Sequence, residues 1–109
     1  SVIVLENGKN VVPEENEEYL GKIDTICESV GGGRKAPDSD AIILTAVVFP
    51  AYDKFPTGAS EELIRESIRN SINAMNRRLP GFKQVKAVEY RQTEFEKTTS
   101  KKIKRHLVK

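Results

Sequence analysis

The sequence predicts an α+β domain: a small mixed sheet of about three strands with helices packed on it, preceded by an N-terminal β-hairpin. Three observations carry this. Ala41 to Phe49 is one continuous apolar run rich in Ile and Val, as a strand buried on both faces requires. Between Ser60 and Leu79 apolar residues recur at helical spacing, and a second β-rich run, Val85 to Tyr90, follows. Strand, helix and strand within about 50 residues form a crossover unit, so the sheet contains a parallel pair with the helix on one face.

Taken in order, Ser1 to Leu5 and Asn10 to Val12 flank Glu6-Asn7-Gly8-Lys9, and the Asn-Gly pair predicts a type I′ hairpin turn, which needs positive φ at both central residues. Pro13 suits the first position of a helix, and Glu14, Glu15, Glu17 and Glu18 suit its positive end, so a short helix is expected over 13–22. Ile26 to Val30 reads as a brief strand. The run Gly31-Gly-Gly-Arg-Lys-Ala-Pro-Asp-Ser-Asp40 reads as a flexible hairpin connection; its spacing does not fit a phosphate-binding G-x-x-x-x-G-K-[ST] loop. Ser60 is placed to cap a helix with Glu61 and Glu62 in its first turn. Leu63, Ile64, Ile68, Ile72, Met75 and Leu79 form the expected buried stripe, and Pro80-Gly81 stops the helix.

At 109 residues, 38% hydrophobic and 31% charged, the chain suits one soluble domain. No apolar run approaches the length of a membrane span, and no secretory signal is visible. The single cysteine, Cys27, excludes an internal disulfide and fits a cytoplasmic setting; with His106 as the one histidine, no metal site is expected. The net charge of +2 conceals an asymmetry. From Lys97 onward there are six basic residues (Lys97, Lys101, Lys102, Lys104, Arg105, Lys109) and no acidic one, against 12 basic and 16 acidic residues in positions 1–96. Such a tail is either a solvated terminus or a surface for phosphates.

The tail Phe95-Glu-Lys-Thr-Thr-Ser-Lys-Lys-Ile-Lys-Arg105 resembles the C-terminal motif P-K-T-x-x-G-K-I-x-R of adenylate-forming enzymes, matching at Lys97, Thr98, Lys102, Ile103 and Arg105. It departs at Glu96, where proline is common, and at Lys101, where glycine is common. The opening segment, Val2 through Gly8 to Pro13-Glu14-Glu15, resembles the hinge-proximal hairpin of the same superfamily, with Asn16 in place of a usual apolar residue. Asn76 to Lys86 resembles it too. The order and separation of these segments, across nearly the whole chain, identify a resemblance to the C-terminal lid domain of AMP-forming acyl-CoA synthetases, and the Lys-Lys-Ile-Lys-Arg variant looks like the branch acting on long-chain fatty acids.

The resemblance implies a catalytic role for Lys102 in adenylation, and substrate or CoA contacts for Gly8, Lys9, Lys101, Lys104 and Arg105. It implies residues 1–12 as the hinge-proximal hairpin and 97–109 as the catalytic-lysine tail. ATP, CoA and Mg2+ would be cofactors of the complete cytoplasmic enzyme, which could also lie peripheral to a membrane. They would be held mainly by an N-terminal domain, since this chain shows no Ser/Thr/Gly-rich phosphate loop; the chain is then expected to be a fragment, inactive alone. The competing reading is a small basic α+β nucleic-acid-binding module whose tail tracks a phosphate backbone. The aromatic residues fall largely at segment ends, where base stacking on a sheet is not served, so no nucleic-acid partner is expected.

Overall fold

The computed structural model describes residues 2–5 and 8–108. A two-stranded antiparallel hairpin opens the chain, with β1 (Ile3–Val4) against β2 (Asn10–Val11) in the register Ile3↔Val11. Then follow helix α1 (Pro13–Leu20), strands β3 (Ile26–Lys35) and β4 (Ile42–Pro50), helix α2 (Glu61–Asn76) and strand β5 (Ala87–Tyr90). The main sheet has the order β3-β4-β5, antiparallel between the first pair and parallel between the second. The expected α+β architecture, its central strand and its parallel crossover are all present.

Strand β4 has both faces covered. Leu44, Ala46 and Val48 enter the main core with Ile64, Ile68 and Ile72 of α2, Leu20 of α1 and Val11 of β2. Val47 points the other way and packs with Val30 and Phe95, backed by Phe49, Ile103 and Val108. The helices and the N-terminal hairpin thus occupy one face, and the C-terminal tail forms the roof of the other. Phe95 is only 3% exposed, a burial that contributes about 2 kcal/mol or more to holding that roof down.

Several local expectations are corrected. The type I′ turn is not the closure found. Its Asn7 half lies outside the described residues, but Gly8 N–H donates to Leu5 O at 2.9 Å and Leu5 N–H to Lys9 O at 2.9 Å. That pattern closes a three-residue connection with Gly8, at φ 82°, in the bulge position. Helix α1 stops at Leu20, short of residue 22. Gly31 to Lys35 are not a flexible connection but the second half of β3, and the turn occupies only 36–41, closed by Ala36 N–H to Ala41 O at 2.8 Å. At Gly31 and Gly33 the strand needs glycine because other side chains lie directly on the backbone. A Cβ on Gly31 would meet Pro13 Cβ at 2.9 Å, and one on Gly33 would meet Ile42 Cγ2 at 2.9 Å and Ile3 Cγ2 at 3.1 Å.

In α2 the Ser60 hydroxyl caps the helix, accepting from Leu63 N–H at 3.1 Å. Leu63 itself is 50% exposed, because it sits about 100° around the helix from Ile64 and off the stripe. The helix ends at Asn76, whose side chain copies a strand pairing: Nδ2 donates to Val85 O at 2.9 Å and Oδ1 accepts from Val85 N–H at 2.9 Å. Gln84 Nε2 then donates to the freed carbonyls of Asn76 at 3.0 Å and Leu79 at 3.1 Å. Val85, expected in a strand from 85, is buried just ahead of β5. Asn16, in α1, is buried and donates from Nδ2 to Lys83 O at 2.6 Å, so the polar residue at this position ties α1 to the turn after α2.

The glycine run supplies a controlled test. Gly31→Ala is expected to lower unfolding free energy by about 1–3 kcal/mol through overpacking against Pro13, whereas Gly32→Ala, with open space at its Cβ, should be neutral or raise it by about 0.5 kcal/mol. Urea unfolding of both variants reads the difference; equal effects would remove the close-approach argument.

Candidate functional site

Beyond β5 the chain crosses the open face of the sheet and folds back in a tight hairpin. Lys97 and Ile103 form an antiparallel bridge, Lys104 N–H donates to Glu96 O at 2.8 Å, and Thr98 N–H donates to Lys102 O at 2.7 Å. Lys101 N–H donates to Thr98 O at 2.9 Å, and the Thr98 hydroxyl accepts from Lys102 N–H at 3.2 Å. Lys101 has φ 64° and is the one non-glycine residue with positive φ among the described residues. The pattern repeats that at Leu5-Gly8-Lys9, with lysine now in the left-handed position that favours glycine. Lys101, standing where the motif it resembles usually has glycine, thus adopts the left-handed conformation that glycine favours.

Two ion-pair clusters hold the hairpin from either side. Upstream, Lys97 Nζ lies 2.6 Å from Glu28 Oε2, and Glu28 Oε1 accepts from Phe95 N–H at 3.2 Å. Donation to the Glu28 carboxylate pushes the Lys97 ammonium above its usual pKa. A lysine with a raised folded pKa keeps its stabilising contribution throughout the neutral range and loses it only as pH rises through the raised value. Downstream, Arg105 Nη1 lies 2.8 Å from Glu17 Oε1 and 2.7 Å from its Oε2, and Nη2 donates to Gly31 O at 3.0 Å. Glu17 Oε2 also accepts from Gly31 N–H at 2.7 Å. Both polar backbone groups of Gly31, on the edge strand of the sheet, are thereby engaged.

The sequence-predicted residues fall into two groups on opposite faces. Lys101, Lys102, Lys104 and Arg105 lie on the tail. Gly8 and Lys9 lie on the N-terminal hairpin, whose Ile3 and Leu5 pack against the helix-side core; Lys9 Nζ stands 5.1 Å above the Phe82 ring. The structure does not bring the groups together. Lys102 is exposed and has no ion-pair partner among the described residues, whereas Arg105, expected to meet substrate, is engaged with Glu17. Glu17 and Glu28 were not singled out as site residues; they pair with the tail at separations of 88 and 67 positions, and no local pattern announces them. Of the tail cations, Lys97 and Arg105 are paired internally, which weakens a reading of this stretch as an evenly available phosphate-tracking surface. Among the described residues no group of three or more His, Cys, Asp or Glu side chains could hold a metal ion, so they offer no such ligand set for Mg2+. No helix among them is long and apolar enough to cross a membrane.

Position 101 generates a prediction. Lys101→Gly is expected to keep the hairpin with a stability change under about 1 kcal/mol, while Lys101→Val, β-branched at positive φ, should cost about 1–2 kcal/mol. Thermal unfolding with amide NMR of the tail checks both.

Solved structures share this fold. A fatty acyl-CoA synthetase of Mycobacterium tuberculosis matches at TM-score 0.66 and 21% identity, over 97% of this chain and 18% of its own. An acyl-CoA synthetase of Brucella canis matches at 0.68 and 23%, over 98% of this chain and 18% of its own. An anthranilate CoA ligase solved with anthranoyl-AMP matches at 0.69 and 26%, over 96% and 18%. The chain thus spans less than a fifth of the length of these enzymes. Comparison with curated protein sequences returned no match. The first two likenesses establish the shared fold, and the family match runs from residue 1 to residue 109: the chain carrying this clamped lysine hairpin belongs to the family of AMP-binding enzyme C-terminal domains.

Proposed function

We propose that this chain is the mobile lid of an AMP-forming acyl-CoA synthetase of the fatty acid type, with residues 1–12 as its hinge-proximal hairpin and 97–109 as its catalytic tail. It works with a larger N-terminal domain that holds ATP, Mg2+ and the fatty acid, and has no synthetase activity by itself. Lys102 is the catalytic residue. In adenylation a carboxylate oxygen forms a bond to the α-phosphorus as the bond to pyrophosphate breaks, and negative charge accumulates between two anionic reactants. A compact ammonium on a flexible stem neutralises that charge. The observation carrying this reading is that Lys102, at the motif's second lysine, stands exposed and without an ion-pair partner among the described residues, at the tip of a hairpin that Lys97 and Arg105 tie to carboxylates on either side.

The opposite placement of Gly8 and Lys9 supports a division of labour. With the lid in one orientation the Lys102 face meets the nucleotide; rotated, the Gly8 face meets the pantetheine arm of CoA during thioester formation. Lys101 and Lys104, flanking the catalytic lysine, add positive potential toward the phosphates, and Lys9 does so toward CoA. Arg105 contributes by shaping the tail.

In the complete synthetase, Lys102→Ala is expected to lower acyl-AMP formation by about 100-fold or more while leaving thioester formation from supplied acyl-AMP unchanged. Equal loss in both half-reactions would remove the catalytic assignment. Gly8→Leu should impair thioester formation more than adenylation, and Gly8→Asn, which tolerates positive φ, separates loss of the turn from obstruction of the tunnel. Normal thioester synthesis by Gly8→Leu would exclude a tunnel role for this turn.

A further inference from the structure

The Lys102 hairpin has a short backbone ladder and only one wall. Its tip, Thr98 to Lys102, is exposed, and apolar contact comes from Phe95 before it and Ile103 and Val108 after it. A two-stranded ribbon of this size does not hold itself in water. Something must fix its rotation about the strand axis, because Phe95 and Ile103 resist lifting but provide little directional restraint. The shortest directional contacts come from two carboxylates, Glu28 and Glu17, with Glu94 at 3.5 Å from Lys97 Nζ and Glu14 at 4.0 Å from Arg105 Nε adding longer ones. Glu28 grips both the backbone at Phe95 and the ammonium of Lys97, and Glu17 grips the guanidinium of Arg105 while binding Gly31 of the sheet edge.

We infer that Glu28 and Glu17 are positioning residues for Lys102: they anchor the tail on either side of the lysine, through Lys97 and Arg105, so that the ammonium is presented in one orientation. This rests on the reading of Lys102 as the adenylation catalyst and adds residues on β3 and α1 that the tail motif does not contain. The side chains of Lys97 and Glu28 are 26% and 14% exposed, and those of Arg105 and Glu17 33% and 20%, so both pairs are partly shielded from water and favour defined geometry more than open surface pairs do. Glu28 lies two residues before Val30 on β3 and so shares its tail-side face, whereas Ile26, across the register shift between Ile26 and Glu28, enters the helix-side core. In catalytic terms the anchors would remove rotational freedom from the lysine before the substrates arrive.

The test uses two readouts. Amide hydrogen exchange by NMR on the 109-residue chain reads the anchor itself, and rates of the two half-reactions in the complete synthetase read its consequence. Glu28→Gln, which keeps an acceptor for Phe95 N–H, and Glu17→Gln should each speed exchange at the Thr98 and Lys104 amides by about tenfold, with β4 amides unchanged. They should lower kcat for adenylation with little change in KM, and leave thioester formation from supplied acyl-AMP intact. The swap of Glu28→Lys with Lys97→Glu should restore both readouts in part. Unchanged exchange overturns the inference and leaves the role of Lys102 standing. Faster exchange with unaltered adenylation overturns it too, provided Lys102→Ala still abolishes adenylation; if Lys102→Ala is also without effect, the catalytic reading has failed and takes the inference with it. Should a glutamate variant unfold, Lys97→Met carries the same test from the more exposed end of the pair.

Discussion

A strand that is apolar on both faces imposes the plan of this molecule. β4 presents Leu44, Ala46 and Val48 to one side and Val47 to the other, and neither side gains from being left in water. The helices close the first side in the ordinary way of a crossover unit. No helix remains for the second, so the chain uses its own C-terminal tail, with Phe95 as the buried anchor. The proposed catalytic lysine is therefore carried by a segment that is also part of the core.

That double duty explains where the ion pairs are. The tail must be held on one face while α1 sits on the other, and the two meet around the edge strand β3. Gly31 is the meeting point. With no side chain it admits Pro13, and its N–H and C=O are engaged by Glu17 and Arg105. One residue thus helps to satisfy the sheet edge, seat α1 and secure the end of the tail. The Thr98-to-Lys102 tip between the two anchors is left to reach outward.

Physical roles can now be attached to each matching position of the tail motif. Lys97 is a tether, Thr98 closes the turn with its backbone and hydroxyl, Ile103 packs under the sheet and Arg105 is the second tether. Position 101 is a backbone requirement, met here by a lysine at positive φ. Lys102 is left as the member whose side chain is exposed and has no ion-pair partner among the described residues. The hydrogen-bond pattern at Leu5-Gly8-Lys9 repeats the turn on the far face, so each face of the sheet carries a bulged hairpin with a lysine directly after the left-handed residue.

Much of this architecture was legible in the chain, because its signals are local. The apolar run of β4, the Ser60 cap, the Ile64-Ile68-Ile72 stripe and Pro13 at a helix start each follow from side chains within a few positions of one another. The tail motif likewise marked Lys102 without a fold. Tertiary structure alone decided the rest. Local composition makes three glycines look like a loop, and only the approach of Pro13 and Ile3 shows why the strand needs two of them, Gly31 and Gly33. An arginine in a basic tail looks available, and only a glutamate 88 positions away shows that it is engaged. Spacing within a sequence records what neighbours along the chain prefer; which backbones touch, and which charges meet, is settled when distant segments compete for the same strand.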